Sequence, residues 1–154
     1  MNAETRLAEL NRELPPPPEP AGTYLPVLQI GDLCYLSGHI PVRPDGSLIQ
    51  GKVGADLSEA EGREAARAVG LAMLASLKQH LGSLDRVIRM VKVLGVVNAT
   101  PDFRNHPGVI NGFSDLMVDV FGDAGRAARS AIGASSLPLN VAVEIEAIVQ
   151  VATD

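Results

Sequence analysis

The end of the chain constrains the fold most strongly, because apolar residues alternate with other residues from 140 to 152. Val143, Ile145 and Val149 fall on one face of an extended strand, and Glu144 and Glu146 fall on the other. Side chains alternate between the two faces of a strand. The pattern therefore predicts a strand with one face in the core, while the other face carries carboxylates.

Local patterns predict the remaining elements of the domain. Ser58 followed by Glu61 is a capping box, which opens a long helix with apolar residues at helical spacing. A run of β-branched residues predicts a central strand. In chain order the predicted elements are a hairpin over 24–38, a short strand at 47–50 in a Gly- and Pro-rich segment, a helix over 58–81, a strand over 85–98, a helix over 107–121, and strands over 127–134 and 140–152.

This order predicts an α+β fold in which two helices cover one face of a mixed sheet of about six strands. The other sheet face would expose Ile88, Met90, Leu94 and Ile148, or their neighbours, in a monomer. Contiguous exposed apolar surface is a feature of interaction sites. We therefore expect the chain to form an oligomer.

The first twenty residues have a composition of their own. Residues 2–13 predict a short amphipathic helix, and the PPPPEP segment at 15–20 predicts a stiff polyproline arm. We therefore divide the 154 residues into a helix and arm over 1–20 and one domain over 21–154. Apolar runs are too short to predict a membrane span.

Composition restricts the function. The net charge of −5 disfavours nucleic acid as a partner. The single cysteine, Cys34, predicts a small buried side chain and a reducing cytoplasmic location. His39, His80 and His106 lie in three elements without ligand spacing, so neither a metal nor a nucleotide cofactor is expected. For His39 we expect a solvated or locally hydrogen-bonded side chain.

Arg129 and Glu144 are the charged residues that most need an explanation. Arg129 lies in a strand of small and apolar residues, where a guanidinium requires an anion. Two interpretations remain open. In the first, antiparallel pairing of the last two strands forms an internal Arg129–Glu144 ion pair. In the second, Arg129 binds a ligand carboxylate while Glu144 holds or deprotonates a water. Glu146 competes with Glu144 for either role.

Three segments resemble the RidA/YjgF family, also called the L-PSP endoribonuclease family. They are GTYLPVLQIGDLCYLSGHIPV over 22–42, NATPDFRNHPGVINGFSDLMVDVFG over 98–122 and ARSAIGASSLPLNVAVEIEAIV over 128–149. The GKVG…DL…EG…AA segment and the N-terminal extension resemble the YjgF/chorismate-mutase-like branch. Within the family pattern, Ala131 stands where cysteine is frequent, and His39 follows Ser37-Gly38 where glutamine is frequent.

The resemblance implies a chorismate-mutase-like two-layer sandwich that forms a homotrimer around a central barrel, with ligand clefts between subunits. It implies cofactor-independent hydrolysis of reactive 2-imino or enamine acids to 2-oxo acids and ammonia, as in 2-iminobutanoate/2-iminopropanoate deaminases. The ligand would be a small carboxylate. The residues that it implies are Arg129 for the carboxylate, Glu144 for the water, and Tyr24, Ser37, Gly38 and Asn111 for the pocket.

Three other functions compete with imine hydrolysis. A non-catalytic trimer would bind small carboxylates or partner proteins through the same clefts. An endoribonuclease would need basic clusters and a histidine pair or a metal, which this acidic chain does not suggest. Chorismate mutase-like activity on a dicarboxylate would need several cations in each cleft, and the sequence places only Arg129.

Overall fold

The computed structural model describes residues 1–154 as three α-helices and one mixed five-stranded sheet. This architecture confirms the predicted α+β class. The helices are α1 (Ala3–Glu9), α2 (Glu59–Leu81) and α3 (His106–Phe121), and the strands are β1 (Val27–Ile30), β2 (Leu33–His39), β3 (Val87–Asn98), β4 (Ala128–Ala134) and β5 (Val143–Val151). Three short 3-10 turns cover Leu84–Arg86, Gly122–Gly125 and Pro138–Asn140.

The sheet has the strand order β1-β2-β5-β3-β4. Only β3 and β4 pair in parallel, and every other neighbouring pair is antiparallel. The predicted alternation in β5 is confirmed, because Val143, Ile145 and Val149 are fully buried whereas Glu146 is exposed. The predicted hairpin is also confirmed, and Gly31 takes a positive φ of 61° at its turn.

Helices α2 and α3 lie side by side on one face of the sheet. The predicted capping box opens α2: the Ser58 hydroxyl accepts from the Glu61 amide at 3.1 Å, and the Glu61 carboxylate accepts from the Ser58 amide at 3.1 Å. Gly112 of α3 lies against the backbone of Arg63 in α2, where a Cβ would collide. None of the helices has the length and apolar character needed to cross a membrane.

The predicted sixth strand at 47–50 is wrong. This segment forms only isolated bridges, between Val42 and Leu48 and between Gln50 and Val141. The reason lies in the neighbouring residues, because Gly46 and other glycines of the segment take positive φ angles that break a continuous ladder.

Two register shifts in β3 correct the predicted set of residues on the uncovered face. The pairing of β3 with β5 shifts between Val87 and Arg89 and again between Met90 and Lys92. Such an insertion changes which face the following side chains occupy. Met90 is therefore buried under the helices, whereas Ile88 is 49% exposed and Leu94 is half-buried on the uncovered face.

Helix α1 packs against α3, and its apolar stripe joins the core of the domain through buried Leu7. The Glu4 carboxylate accepts hydrogen bonds from Lys78 Nζ at 2.8 Å and from the Leu84 amide at 2.9 Å. The proline-rich arm then runs from this anchored helix to the start of β1. The arm therefore begins and ends at fixed points of the fold.

Candidate functional site

A β-bulge in β2 shapes the first part of the candidate site. Leu36 pairs with Ala147 and His39 with Ile145, so three steps along β2 correspond to two along β5. The extra residue lies at Ser37-Gly38, and bulges of this kind are frequent beside active sites. The Ser37 hydroxyl donates to the Leu25 carbonyl at 2.6 Å, which ties the bulge to the segment before β1.

Glu144 lies directly against the bulge. A Cβ placed on Gly38 would be 2.6 Å from Glu144 Oε1, so a larger residue there would displace this carboxylate from its present position. The resulting cleft has a volume of about 460 Å³. It joins four of the residues that the family resemblance implied, together with the arm and the exposed Leu139: its lining includes Tyr24, Ser37, Gly38, Glu144, Leu139 and residues 18–22.

The environment of Glu144 favours its neutral form. Partial burial raises the pKa of this carboxyl, and the nearby charge of Glu146 raises it further. A carboxylate with a raised pKa is a better proton acceptor, which suits general acid and base chemistry. Glu146 is exposed and lines the neighbouring cleft on the uncovered sheet face, and Tyr24 and Ser37 line both clefts. Glu144 differs from Glu146 in lying directly against Gly38 of the bulge.

Arg129 lies in a different cleft, on the outer side of α3. Its Nη1 donates to Asn111 Oδ1 at 2.7 Å and to Ser114 Oγ at 3.1 Å. Both partners are neutral, and no carboxylate of the chain lies within 4 Å of this half-buried guanidinium. The cleft has a volume of about 640 Å³. Its uncompensated cation makes it suitable for an anionic ligand.

The internal Arg129–Glu144 ion pair, one of the two interpretations left open by the sequence, does not form in the protomer. Strand β4 pairs in parallel with β3 at the edge of the sheet, so β3 separates β4 from β5. Arg129 is in register with buried Val93 on the helix-covered face, whereas Glu144 is in register with Val96 on the other face. One protomer therefore forms two separate clefts, one containing Arg129 and Asn111 and the other containing Glu144.

The structure also shows residues that the sequence analysis missed. Ser114 lies one helical turn after Asn111, so the three-residue spacing on α3 could have indicated it as a second partner of Arg129. Leu139 has a positive φ of 57° beside the Glu144 cleft, a strained conformation for this residue type that no sequence pattern announces. Ala131, two residues after Arg129, packs against the core.

The histidines and the cysteine have local structural roles. His39 is buried, with Nδ1 at 2.7 Å from the Ser37 carbonyl and Nε2 at 2.8 Å from Ser76 Oγ. Of the two environments expected for it, the structure shows local hydrogen bonding and not solvation. Burial lowers the pKa of this imidazole. Cys34 is buried as expected, and burial raises the pKa of its thiol. No three His, Cys, Asp or Glu side chains are grouped as a metal site.

Comparison with known proteins agrees with this architecture. The model of the family described as "YjgF/chorismate mutase-like, putative endoribonuclease" matches residues 4–150. Protein TCP17 of Trypanosoma cruzi is 40% identical over 145 residues, covering 94% of this chain and 91% of that protein.

Two solved structures are similar over nearly the whole chain. A protein of unknown function from Agrobacterium tumefaciens, Atu1372, is 38% identical with a TM-score of 0.89, covering 98% of this chain and 92% of its own. A protein from Shewanella oneidensis, described by the same endoribonuclease term, is 33% identical with a TM-score of 0.94, covering 98% and 100%. The chain belongs to the RidA/YjgF family, in its YjgF/chorismate mutase-like branch.

Proposed function

We propose that this protein hydrolyses reactive 2-imino or enamine acids to 2-oxo acids and ammonia, at clefts between the subunits of a homotrimer. Arg129 binds the substrate carboxylate, and Glu144 positions the attacking water. The observation that carries the proposal is the half-buried Arg129 guanidinium, which has two neutral partners and no carboxylate. A partly desolvated cation of this kind is suited to bidentate binding of a carboxylate.

The reaction needs few protein groups. A protonated imine is electrophilic at carbon, so water adds there once Glu144 has accepted one of its protons. The resulting tetrahedral adduct has a hydroxyl and an amino group on the same carbon. Glu144 returns the proton to the amino group, and the carbon–nitrogen bond breaks while the hydroxyl gives its proton to Glu144 and becomes the carbonyl of the 2-oxo acid. Ammonia leaves and takes up that proton, which restores the Glu144 carboxylate. The raised pKa of Glu144 supports these proton transfers.

The separation of the two clefts in one protomer, here called half-sites, supports a location between subunits. Arg129 is on the helix-covered side of the edge strand, and Glu144 is in the cleft at the bulge. In an assembly, the Arg129 half-site of one copy of the chain would lie next to the Glu144 half-site of a second copy. The apolar character of the uncovered sheet face supports such an assembly.

The test is an assay in which an amino-acid oxidase generates 2-iminobutanoate in the presence of the protein, and 2-oxo acid formation is followed. Arg129→Ala should raise KM, with a loss of about 1.5–3 kcal/mol in transition-state binding for a charged contact. Glu144→Gln should lower kcat with little change in KM. Arg104→Gln, an exposed charge change outside both clefts, is the control. Wild-type-like turnover in either site variant would refute the role given to that residue.

A second candidate function is carboxylate binding without turnover. One protomer already completes the Arg129 cleft with Asn111 and Ser114, independently of Glu144. Arg129-dependent binding of 2-oxobutanoate without imine hydrolysis would establish this function instead. Endoribonuclease activity has less support, since His39 is buried, His80 bonds to Gln29, and His106 contacts Phe103, so no histidine pair is formed.

A further inference from the structure

The cleft beside Arg129 contains more than one guanidinium group. Arg67 of α2 and Arg126, which precedes β4, also line it. Asp115 and Asp119 line the same cleft, and Arg126 Nε lies 3.8 Å from Asp123 Oδ1, so Arg129 is the guanidinium without a carboxylate partner and Arg67 has one long contact. The chain as a whole has a net charge of −5. A concentration of cations in one cleft of an acidic protein indicates an anionic ligand.

Arg67 is poorly satisfied by the protein itself. Its Nη2 contacts Asp119 Oδ2 at 3.3 Å, the only partner that the structure gives to its five N–H donors. Its Nε is buried and has no partner, and no other buried side-chain nitrogen or oxygen of the chain shares that condition. Folded proteins rarely leave a buried polar atom unpaired, and an absent anion is one explanation when they do.

The position of Arg67 makes that explanation specific. Its side chain is 19% exposed and lines the cleft that Arg129 also lines, with Asn111 and Ser114 of α3 in the same wall. The cleft volume of about 640 Å³ lies within the range of sites for ligands much larger than a four-carbon acid. A ligand held by Arg129 therefore has room for a second acidic group near Arg67.

We infer that Arg67 forms a second anion subsite beside Arg129, and that the ligand of this cleft is a dicarboxylate 2-imino or 2-oxo acid. The inference rests on the proposed role of Arg129 as the first carboxylate anchor. Asp119 competes with the ligand for Arg67. In the bound state the free N–H donors of Arg67 donate to the second ligand carboxylate. This contact compensates the part of the Arg67 charge that the long contact to Asp119 does not compensate.

Calorimetric titration of the full chain with two 2-oxo acids tests the inference. 2-Oxoglutarate carries the second carboxylate, and 2-oxobutanoate does not. We expect the wild type to bind 2-oxoglutarate about tenfold more tightly. Arg67→Gln should abolish most of this preference while changing the affinity for 2-oxobutanoate less than twofold, and Arg129→Gln should weaken both. Arg104→Gln, which makes the same charge change on an exposed loop, should leave both affinities unchanged.

Asp119→Asn provides a test in the opposite direction. Removing the competing carboxylate frees Arg67, so the affinity for 2-oxoglutarate should rise severalfold with no change for 2-oxobutanoate. Equal binding of the two acids by the wild type, or an equal effect of Arg67→Gln on both, would overturn the inference. If 2-oxoglutarate is preferred and imine hydrolysis is absent, the second subsite stands and only the proposed catalysis fails.

Discussion

Glu144 is a carboxylate whose surroundings oppose its ionisation. Burial and the charge of Glu146 raise its pKa in the folded state. The stabilising contribution of the protonated group is therefore complete below the ordinary pKa of about 4.3 and is lost as pH rises through the higher folded value. At neutral pH the ionised group weakens the fold, a cost that is consistent with a functional role.

This linkage predicts that Glu144→Gln raises the melting temperature at pH 8 by a few degrees at most. The advantage should disappear as pH falls below about 4, where the wild-type carboxyl is itself neutral. Thermal unfolding followed by circular dichroism across this range is the measurement. Glu13→Gln, which neutralises an exposed carboxylate outside the cleft, should show no such pH dependence. A lower melting temperature for Glu144→Gln at pH 8 would contradict the prediction.

For His39 we predict the opposite dependence of stability on pH, on the acidic side of neutrality. Its burial lowers the pKa of the imidazole, so its contribution to stability is complete above the ordinary value of about 6.5 and is lost as pH falls through the lower folded value. His39→Gln should cost about 1 kcal/mol at pH 7.5 through the bond to Ser76. The stability of His39→Gln should also fall less steeply toward pH 5 than that of the wild type.

Urea titrations at several pH values measure these free energies of unfolding. His80→Gln is the matched control, because His80 is exposed and bonds only to Gln29. Parallel stability curves for the wild type and His39→Gln between pH 7.5 and 5 would show that His39 is not the group that titrates.

At the scale of elements, local sequence patterns were sufficient to predict a helix or strand whose conformation depends on a few neighbouring residues. The capping box at Ser58 placed the start of α2, and the alternation around Ile145 placed β5. Both signals act within a few residues. The same is true of the turn at Gly31, where a positive φ fixes the hairpin.

Strand pairing could not be predicted in this way. The small residues around Arg129 predict a strand but do not select its neighbour, and proximity in the chain suggested β5. The structure instead pairs β4 with β3 through a parallel crossover that contains α3, and β5 lies on the other side of β3. The separation of Arg129 from Glu144 follows from this topology. No local sequence pattern indicated Arg67 either, since its partner Asp119 is 52 positions away along the chain.

Helix α1 provides a prediction about an element outside the main sheet and helix layer. It has only seven residues, so its stability must come from packing rather than from its own hydrogen bonds. Leu7→Ala removes its buried anchor and should lower the free energy of unfolding by about 2–5 kcal/mol. Glu9→Ala, on the exposed side of the same helix, should change it by less than about 0.5 kcal/mol.

Denaturant unfolding of the two variants measures both values. A small effect of Leu7→Ala would mean that the helix is detached from the core in solution. The proline-rich arm should then also lose its fixed position beside the Glu144 cleft. In that case Leu7→Ala should leave turnover in the imine assay unchanged, because the arm would already be released from the wall of the Glu144 cleft in the wild type.

At the scale of the whole molecule, the uncovered sheet face is the feature that a single protomer leaves unexplained. A row of side chains crosses four strands in register: Leu28, Tyr35, Ile148 and Lys92. Leu28 is 48% exposed and Tyr35 is 41% exposed. The face also lines an apolar cleft of about 720 Å³, and contiguous apolar surface of this kind is covered in most soluble assemblies.

Tyr35→Glu tests whether this face joins the subunits. The side chain is already 41% exposed, so a carboxylate can reach water in the isolated protomer without disturbing the core. Between subunits the same charge would be desolvated without a partner, which is strongly unfavourable. We expect light scattering after size exclusion to give three times 16.2 kDa for the wild type and a large shift toward 16.2 kDa for the variant. Ala60→Glu, on the exposed side of α2, should remain trimeric.

Because Arg129 and Glu144 lie in separate clefts of one protomer, loss of the trimer should abolish imine hydrolysis even though both residues are intact. A monomeric Tyr35→Glu variant with full activity would show that one chain completes the site alone.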